Sequence, residues 1–226
     1  MGVIPAVPGR PDYSVYLVTD TAQCAARGRD VVATVAEAVA GGATAVQVRE
    51  KDASARAFLD TVLRIAAVLP ERVALFVNDR VDVFLAARAA GARVTGVHVG
   101  QSDLPPDAVR ALVGPDAVLG LSAATPAELR AAAQSPARVD YVGIGALHAT
   151  RTKSDAPPAL GHDGFASLVR AVRLPAVAIG GVRMADMPLL RAAGAAGGAI
   201  VSGVCAAPDP RAAAQAYAHA WAAGDD

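Results

Sequence analysis

Only two of the 21 basic side chains are lysines, Lys51 and Lys153, in a chain that uses arginine everywhere else. Each closes a polar run: Gln47-Val48-Arg49-Glu50-Lys51 in the first case, Thr150-Arg151-Thr152-Lys153 in the second. In extended backbone the side-chain period of two puts Gln47 and Arg49 on one face and Val48 on the other. An arginine turned inward needs an anion, either a bound ligand or a core carboxylate such as Asp79. Asp79 follows Asn78, and Asp103 ends Gly100-Gln101-Ser102-Asp103. Two carboxylates at neighbouring strand ends suit a hard divalent cation, here Mg²⁺, that also grips a phosphate. Capping aspartates are common at such places, so the pair gains meaning only beside Arg49, Lys51 and Lys153. With Mg²⁺ bound, these five side chains leave a local charge of about +3, which matches a diphosphate and overmatches a monophosphate. A second anion site is indicated by Gly180-Gly181, where backbone amides can approach closely, together with Ser202 in Val201-Ser202-Gly203.

The remaining candidates read differently. His98 lies in an apolar strand and is expected to be a core histidine with a hydrogen-bond partner, not a base. His148 opens a long loop and is placed to contact substrate. His162 and His219 read as surface residues, and no metal-ligand spacing joins the four histidines. Cys24 and Cys205 lack a CxxC partner and read as packing residues, with neither a zinc site nor a disulfide framework indicated.

Something must hold these groups together, and the apolar pattern says what. Short runs of strand length alternate with helical stretches, the pattern of repeated βα units. Strands are expected at Val15 to Thr19, Ala45 to Arg49, Ala74 to Asn78, Gly96 to Val99, Val118 to Ser122, Tyr141 to Ile144, Val177 to Ile179 and Ala199 to Val201. Helices are expected to begin near Asp30, Ser54, Val81, Pro105, Pro126, Gly164, Ala185 and Asp209. Eight units in one domain predict a closed (β/α)8 TIM barrel over residues 1–226, with frayed tails at about 1–10 and 223–226. In such a barrel the site sits at the C-terminal strand ends, where every polar run above falls, including Ser122 after the fifth strand. Gly42, Gly91 and Gly194, each followed by alanine, are expected to end helices. The long loop, Gly145 to Asp163, is expected to be functional.

Composition narrows the classes further. The formal charge is zero, with 21 basic and 21 acidic side chains mixed along the chain, which provides no field for nucleic acid or a membrane surface. No apolar run reaches membrane-spanning length, and the start lacks the features of a secretion signal, so a cytoplasmic location is expected. Partners are expected to be small molecules. A homo-oligomer is left open.

The motifs QVREK, ND, GVHVGQSDLP, LSA, TRTK, AIGG and VSG stand in this order and spacing from about Tyr16 to Pro210, and in this the chain resembles the thiamin phosphate synthases. The resemblance implies a hydroxymethylpyrimidine diphosphate site made of the segment Gln47, Val48, Arg49, Glu50, Lys51 with Asn78, Ser122 and Lys153, and Mg²⁺ on Asp79 and Asp103. It implies a thiazole phosphate site of Thr150, Arg151, Thr152, Gly181, Val201 and Ser202. Arg49, Ser122 and Lys153 would be catalytic. In that family the bond to diphosphate is thought to break first, and the thiazole nitrogen captures the carbocation; CO₂ is also lost if a carboxylated thiazole is used. Positioned cations suit such an ionisation, and no general base is needed. The competing readings are a thiazole tautomerase, which would lack most of the cation and aspartate set, and a non-catalytic phosphate-binding barrel. Two departures fall in the long loop: Ala146 where the family usually has proline, and His148 at a position often aromatic or aliphatic.

Overall fold

The computed structural model describes residues 11–149 and 158–223. Eight parallel strands close into a barrel in sequence order: β1 (Val15–Val18), β2 (Ala45–Val48), β3 (Ala74–Asn78), β4 (Gly96–Val99), β5 (Val118–Ser122), β6 (Tyr141–Ile144), β7 (Ala176–Ala178) and β8 (Gly197–Ile200). β8 returns to pair with β1 through Tyr16 beside Ala199, so no strand edge is left open. Long helices follow the strands: α2 (Val31–Ala40), α3 (Ala55–Val68), α4 (Val81–Ala89), α5 (Pro106–Val113), α6 (Pro126–Gln134), α7 (Gly161–Ala171), α8 (Met187–Ala192) and α10 (Pro210–Ala222). The predicted starts at Asp30, Ser54 and Asp209 are N-caps whose side chains accept amide hydrogens of the first turn. Gly42, Gly91 and Gly194 have φ of 111°, 82° and 89°, the left-handed conformation that glycine adopts without a Cβ clash after a helix.

Two short helices, α1 (Thr21–Ala25) and α9 (Ser202–Cys205), and a 3₁₀ turn at Met184–Asp186 were not expected. Elements of three to five residues are too short to show a period. Cys24 on α1 and Cys205 on α9 are buried and free, as packing residues should be. Of the tails expected to fray at about 1–10 and 223–226, all but Ala223, which caps α10, lie outside the described residues.

Strand alternation divides the core into two layers. Leu17, Val46, Val48, Leu75, Val77, Val97 and Leu119 pack outward against the helices, while Tyr16, Phe76, Tyr141, Val177 and Ala199 fill the interior. The rings of Tyr16, Phe76 and Tyr141 lie 5.5 to 6.1 Å apart between centroids. They fit because their neighbours are small. A Cβ on Gly120 would lie 2.3 Å from the Tyr141 ring, and one on Gly143 would lie 3.1 Å from the His98 ring. Gly120→Ala is therefore expected to overpack the interior and cost about 1–3 kcal/mol, read as a lower urea midpoint at unchanged slope.

Candidate active site

The polar residues begin where the aromatic layer ends. Gln47, 4 % exposed, turns inward as the strand period requires, and its amide donates to the Tyr16 hydroxyl at 3.0 Å. Tyr16 and Tyr141 share a hydrogen bond of 2.8 Å, Tyr141 meets His98 Nδ1 at 2.9 Å, and His98 Nε2 meets the Ser122 hydroxyl at 3.0 Å. Burial pushes both tyrosine hydroxyls well above their ordinary pKa, so both remain neutral donors. With the Gln47 N–H donating, a run in one direction gives every hydroxyl hydrogen up to Tyr141 an acceptor: Gln47 to Tyr16, Tyr16 to Tyr141, Tyr141 to Nδ1, and Nε2–H to Ser122. In that run His98 carries its hydrogen on Nε2 and the Ser122 hydrogen points elsewhere. His98 is thus the partnered core histidine expected, and it also connects two predicted pyrimidine contacts, Gln47 and Ser122.

Beyond β2 the chain is anchored by Thr19, whose buried hydroxyl accepts the Arg49 amide hydrogen at 3.0 Å. Glu50 accepts a hydrogen bond from the Thr21 hydroxyl, and burial raises its carboxyl pKa. Lys51 is exposed. Val48 is fully buried in the outer layer, so its side chain cannot enter the mouth and any contact it makes there is through backbone.

Asp79 follows β3 with a φ of 60°, its amide tied to the His98 carbonyl at 2.8 Å. Its carboxylate accepts from Asn78 at 2.6 Å, and the Asp103 carboxylate accepts the Gly100 amide hydrogen at 2.7 Å. Burial first, and the adjacent Asp103 second, push the Asp79 carboxyl up to about 6, with Asn78 and Arg49 pulling the other way. The two carboxylates therefore act on each other from neighbouring strand ends. Arg49 acts on Asp79 over a distance, and no direct ion pair between them is formed among the described residues.

On the far side of the barrel, the segments after β6 and β7 are joined. The Leu147 amide donates to the Ile179 carbonyl at 2.8 Å and the His148 amide to Gly180 at 2.9 Å. Gly181 has a φ of 69°, and a Cβ there would lie 3.0 Å from the His148 Cβ. Val201 precedes α9 and Ser202, exposed, opens it. Thr150, Arg151, Thr152 and Lys153 lie outside the described residues.

One expectation needs correction. His162 is no ordinary surface residue: its Nε2 lies 2.9 Å from one oxygen of Asp186, and His148 Nε2 lies 2.9 Å from the other. Positions 148, 162 and 186 share no helical or strand period. Only barrel closure brings the end of β6, the start of α7 and the turn after β7 together, so sequence spacing held no signal for the cluster. His219 is exposed, as expected.

Fold and rim define a (β/α)8-barrel enzyme with its polar groups at the C-terminal strand ends. The family model described as thiamine monophosphate synthase matches residues 15–204, and the chain belongs to that family. It is 49 % identical over 199 residues to a thiamine-phosphate synthase of Azorhizobium caulinodans, covering 88 % of this chain and 90 % of that protein. It is 43 % identical over 204 residues to one of Vibrio campbellii, covering 90 % and 95 %. Among solved structures it is similar to the thiamine phosphate pyrophosphorylase from Pyrococcus furiosus, with a TM-score of 0.82, 30 % identity, and coverage of 95 % of this chain and 98 % of that one.

Two expectations follow from the geometry. Tyr141→Phe, which leaves Tyr16 and His98 Nδ1 short of a partner, should cost about 1–3 kcal/mol in urea denaturation. Asp79→Asn, which removes one of two opposed carboxylates and which the left-handed φ tolerates, should raise the melting temperature in EDTA by roughly 2–4 °C, the shift of about 1 kcal/mol at this length.

Proposed function

We propose that the chain is a transferase that condenses hydroxymethylpyrimidine diphosphate with thiazole phosphate, releasing pyrophosphate and forming thiamin phosphate. The family supports this reading, and one observation carries it for this chain: Asp79 and Asp103 face each other at neighbouring strand ends with Arg49 close enough to bear on their charge. A carboxylate whose pKa is lifted by burial and by a neighbouring carboxylate, as that of Asp79 is, is stabilised when a cation enters, and oxygen donors suit Mg²⁺. When bound there, Mg²⁺ neutralises charge on the departing diphosphate.

The protein's own groups divide the remaining work. Arg49, Lys51 and Lys153 bind diphosphate oxygens and gain strength as charge develops there. Gln47 and Asn78 orient the pyrimidine. Ser122, whose oxygen accepts from His98, keeps its hydrogen for the substrate. The Gly181 backbone, the Ser202 hydroxyl and the backbone near Val201 hold the thiazole phosphate, with Thr150, Arg151 and Thr152. The C–O bond breaks with its electron pair leaving on pyrophosphate, and the thiazole nitrogen then forms the C–N bond to the pyrimidinylmethyl carbon. Substrates are small molecules. Among the described residues no helix is long and apolar enough to cross a membrane, in keeping with a proposed cytoplasmic site of action.

Formation of thiamin phosphate from the two precursors with Mg²⁺ tests the reaction; no product from folded protein would overturn it. Lys153→Ala should lower kcat roughly thirty- to a thousandfold, the effect of losing about 2–4 kcal/mol of transition-state contact, with the fold checked by thermal melt. A kcat within about threefold of the parent protein would remove Lys153 from the machinery.

A further inference from the structure

The mechanism above makes no use of His148, His162 and Asp186. Their ligand atoms, one from each residue, all lie within 4.8 Å of one another, and among the described residues this is the one such cluster of three. The backbone around each is fixed independently. The His148 amide is tied to Gly180. His162 follows Gly161, whose amide donates to the Leu147 carbonyl at 3.0 Å. The Asp186 carboxylate accepts the Arg183 amide hydrogen at 2.7 Å. Asp186 is almost wholly buried, its side chain 6 % exposed, whereas the imidazoles are 22 % and 39 % exposed, so an ion could reach the cluster from solvent.

We propose that His148, His162 and Asp186 bind a single transition-metal ion of the zinc class, separate from the Mg²⁺ carboxylates. Two imidazole nitrogens and one carboxylate oxygen are a borderline donor set, which favours Zn²⁺ or Co²⁺ over the oxygen-seeking Mg²⁺. A tetrahedral ion with bonds of about 2.0–2.1 Å needs ligand atoms about 3.3 Å apart; the three ligand atoms already lie within 4.8 Å of one another, so small side-chain rotations bring them to that spacing. Without metal, each Nε2–H donates to an Asp186 oxygen, and the Arg183 amide with the two imidazoles holds that carboxyl below its ordinary range despite burial. With metal, each ring takes its Nδ1–H tautomer and offers the Nε2 lone pair. Three protein ligands leave a fourth position for water.

The two sites differ in position as well as chemistry: Asp79 and Asp103 follow β3 and β4, while His148 and Asp186 follow β6 and β7. An ion here would join the end of β6 and the start of α7, on either side of Thr150 to Lys153, to the turn that begins at Gly181. It would cross-link three segments that now meet through hydrogen bonds and the edge-to-face contact of the two imidazoles.

The test is Co²⁺ and Zn²⁺ titration of chelator-stripped full-length protein in millimolar Mg²⁺. One equivalent of Co²⁺ should develop the visible absorption of a low-coordinate ion, and Zn²⁺ should displace it. Zinc at a hundredfold excess over its Kd should raise the melting temperature by roughly 5–10 °C. His162→Gln and His148→Gln each keep an amide donor for Asp186 while removing the imidazole, and both should lose the absorption and the thermal shift. Asp79→Asn should keep both. No stoichiometric binding by the parent protein, or binding that survives either histidine substitution, overturns the site. Neither result depends on synthase activity, so failure here and failure of the proposed reaction can be told apart.

Discussion

Closing eight parallel strands commits every second strand residue to a small interior, and the rest of this structure follows from how that space is filled. Tyr16, Phe76 and Tyr141 occupy it, with Gly120 leaving room beside Tyr141 and Gly143 beside the His98 ring above. The two tyrosines among them carry hydroxyls, so the apolar floor turns polar within one layer. From there the chain from Gln47 to Ser122 runs through groups that are all partnered, as burial demands. Residues from β1, β2, β4, β5 and β6 contribute to it, so it links strands that lie apart around the barrel.

The rim above that layer departs from what stability alone would favour. Asp79 holds a left-handed φ and a carboxyl raised to about 6 by burial and by Asp103. Such a placement gives up folding free energy where a ligand can return it, a common feature of binding and catalytic sites. The opposite side of the mouth follows another logic. There Asp186 is stabilised by three donors, and the Gly180-Gly181 backbone fits closely against His148. The barrel thus carries paired carboxylates on one side of its mouth and an imidazole and carboxylate cluster on the other.

Most of the architecture was legible in the chain because it rests on local rules. Strand alternation, helix caps such as Asp30 and Ser54, and post-helix glycines act over a few residues, and the eight βα units appear where those signals fall. The facing of Asp79 and Asp103 was also legible, since strand order in a parallel barrel makes neighbours of consecutive strand ends. Boundaries moved by up to about three residues, as with α7, which begins at Gly161 and not near Gly164, because helix ends depend on tertiary contacts such as the Gly161 amide with Leu147.

By itself the sequence determined a barrel, its polar rim and the two unusual lysines, all of which depend on residue type and short-range period. Only the tertiary structure decided that His98 joins Gln47 to Ser122 through two tyrosines, and that His148, His162 and Asp186 converge. The physical reason is range. Periodicity reports which side of its own strand or helix a residue occupies, whereas a hydrogen bond or a metal ligand set is fixed by distances across a closed barrel, between segments that no spacing along the chain relates.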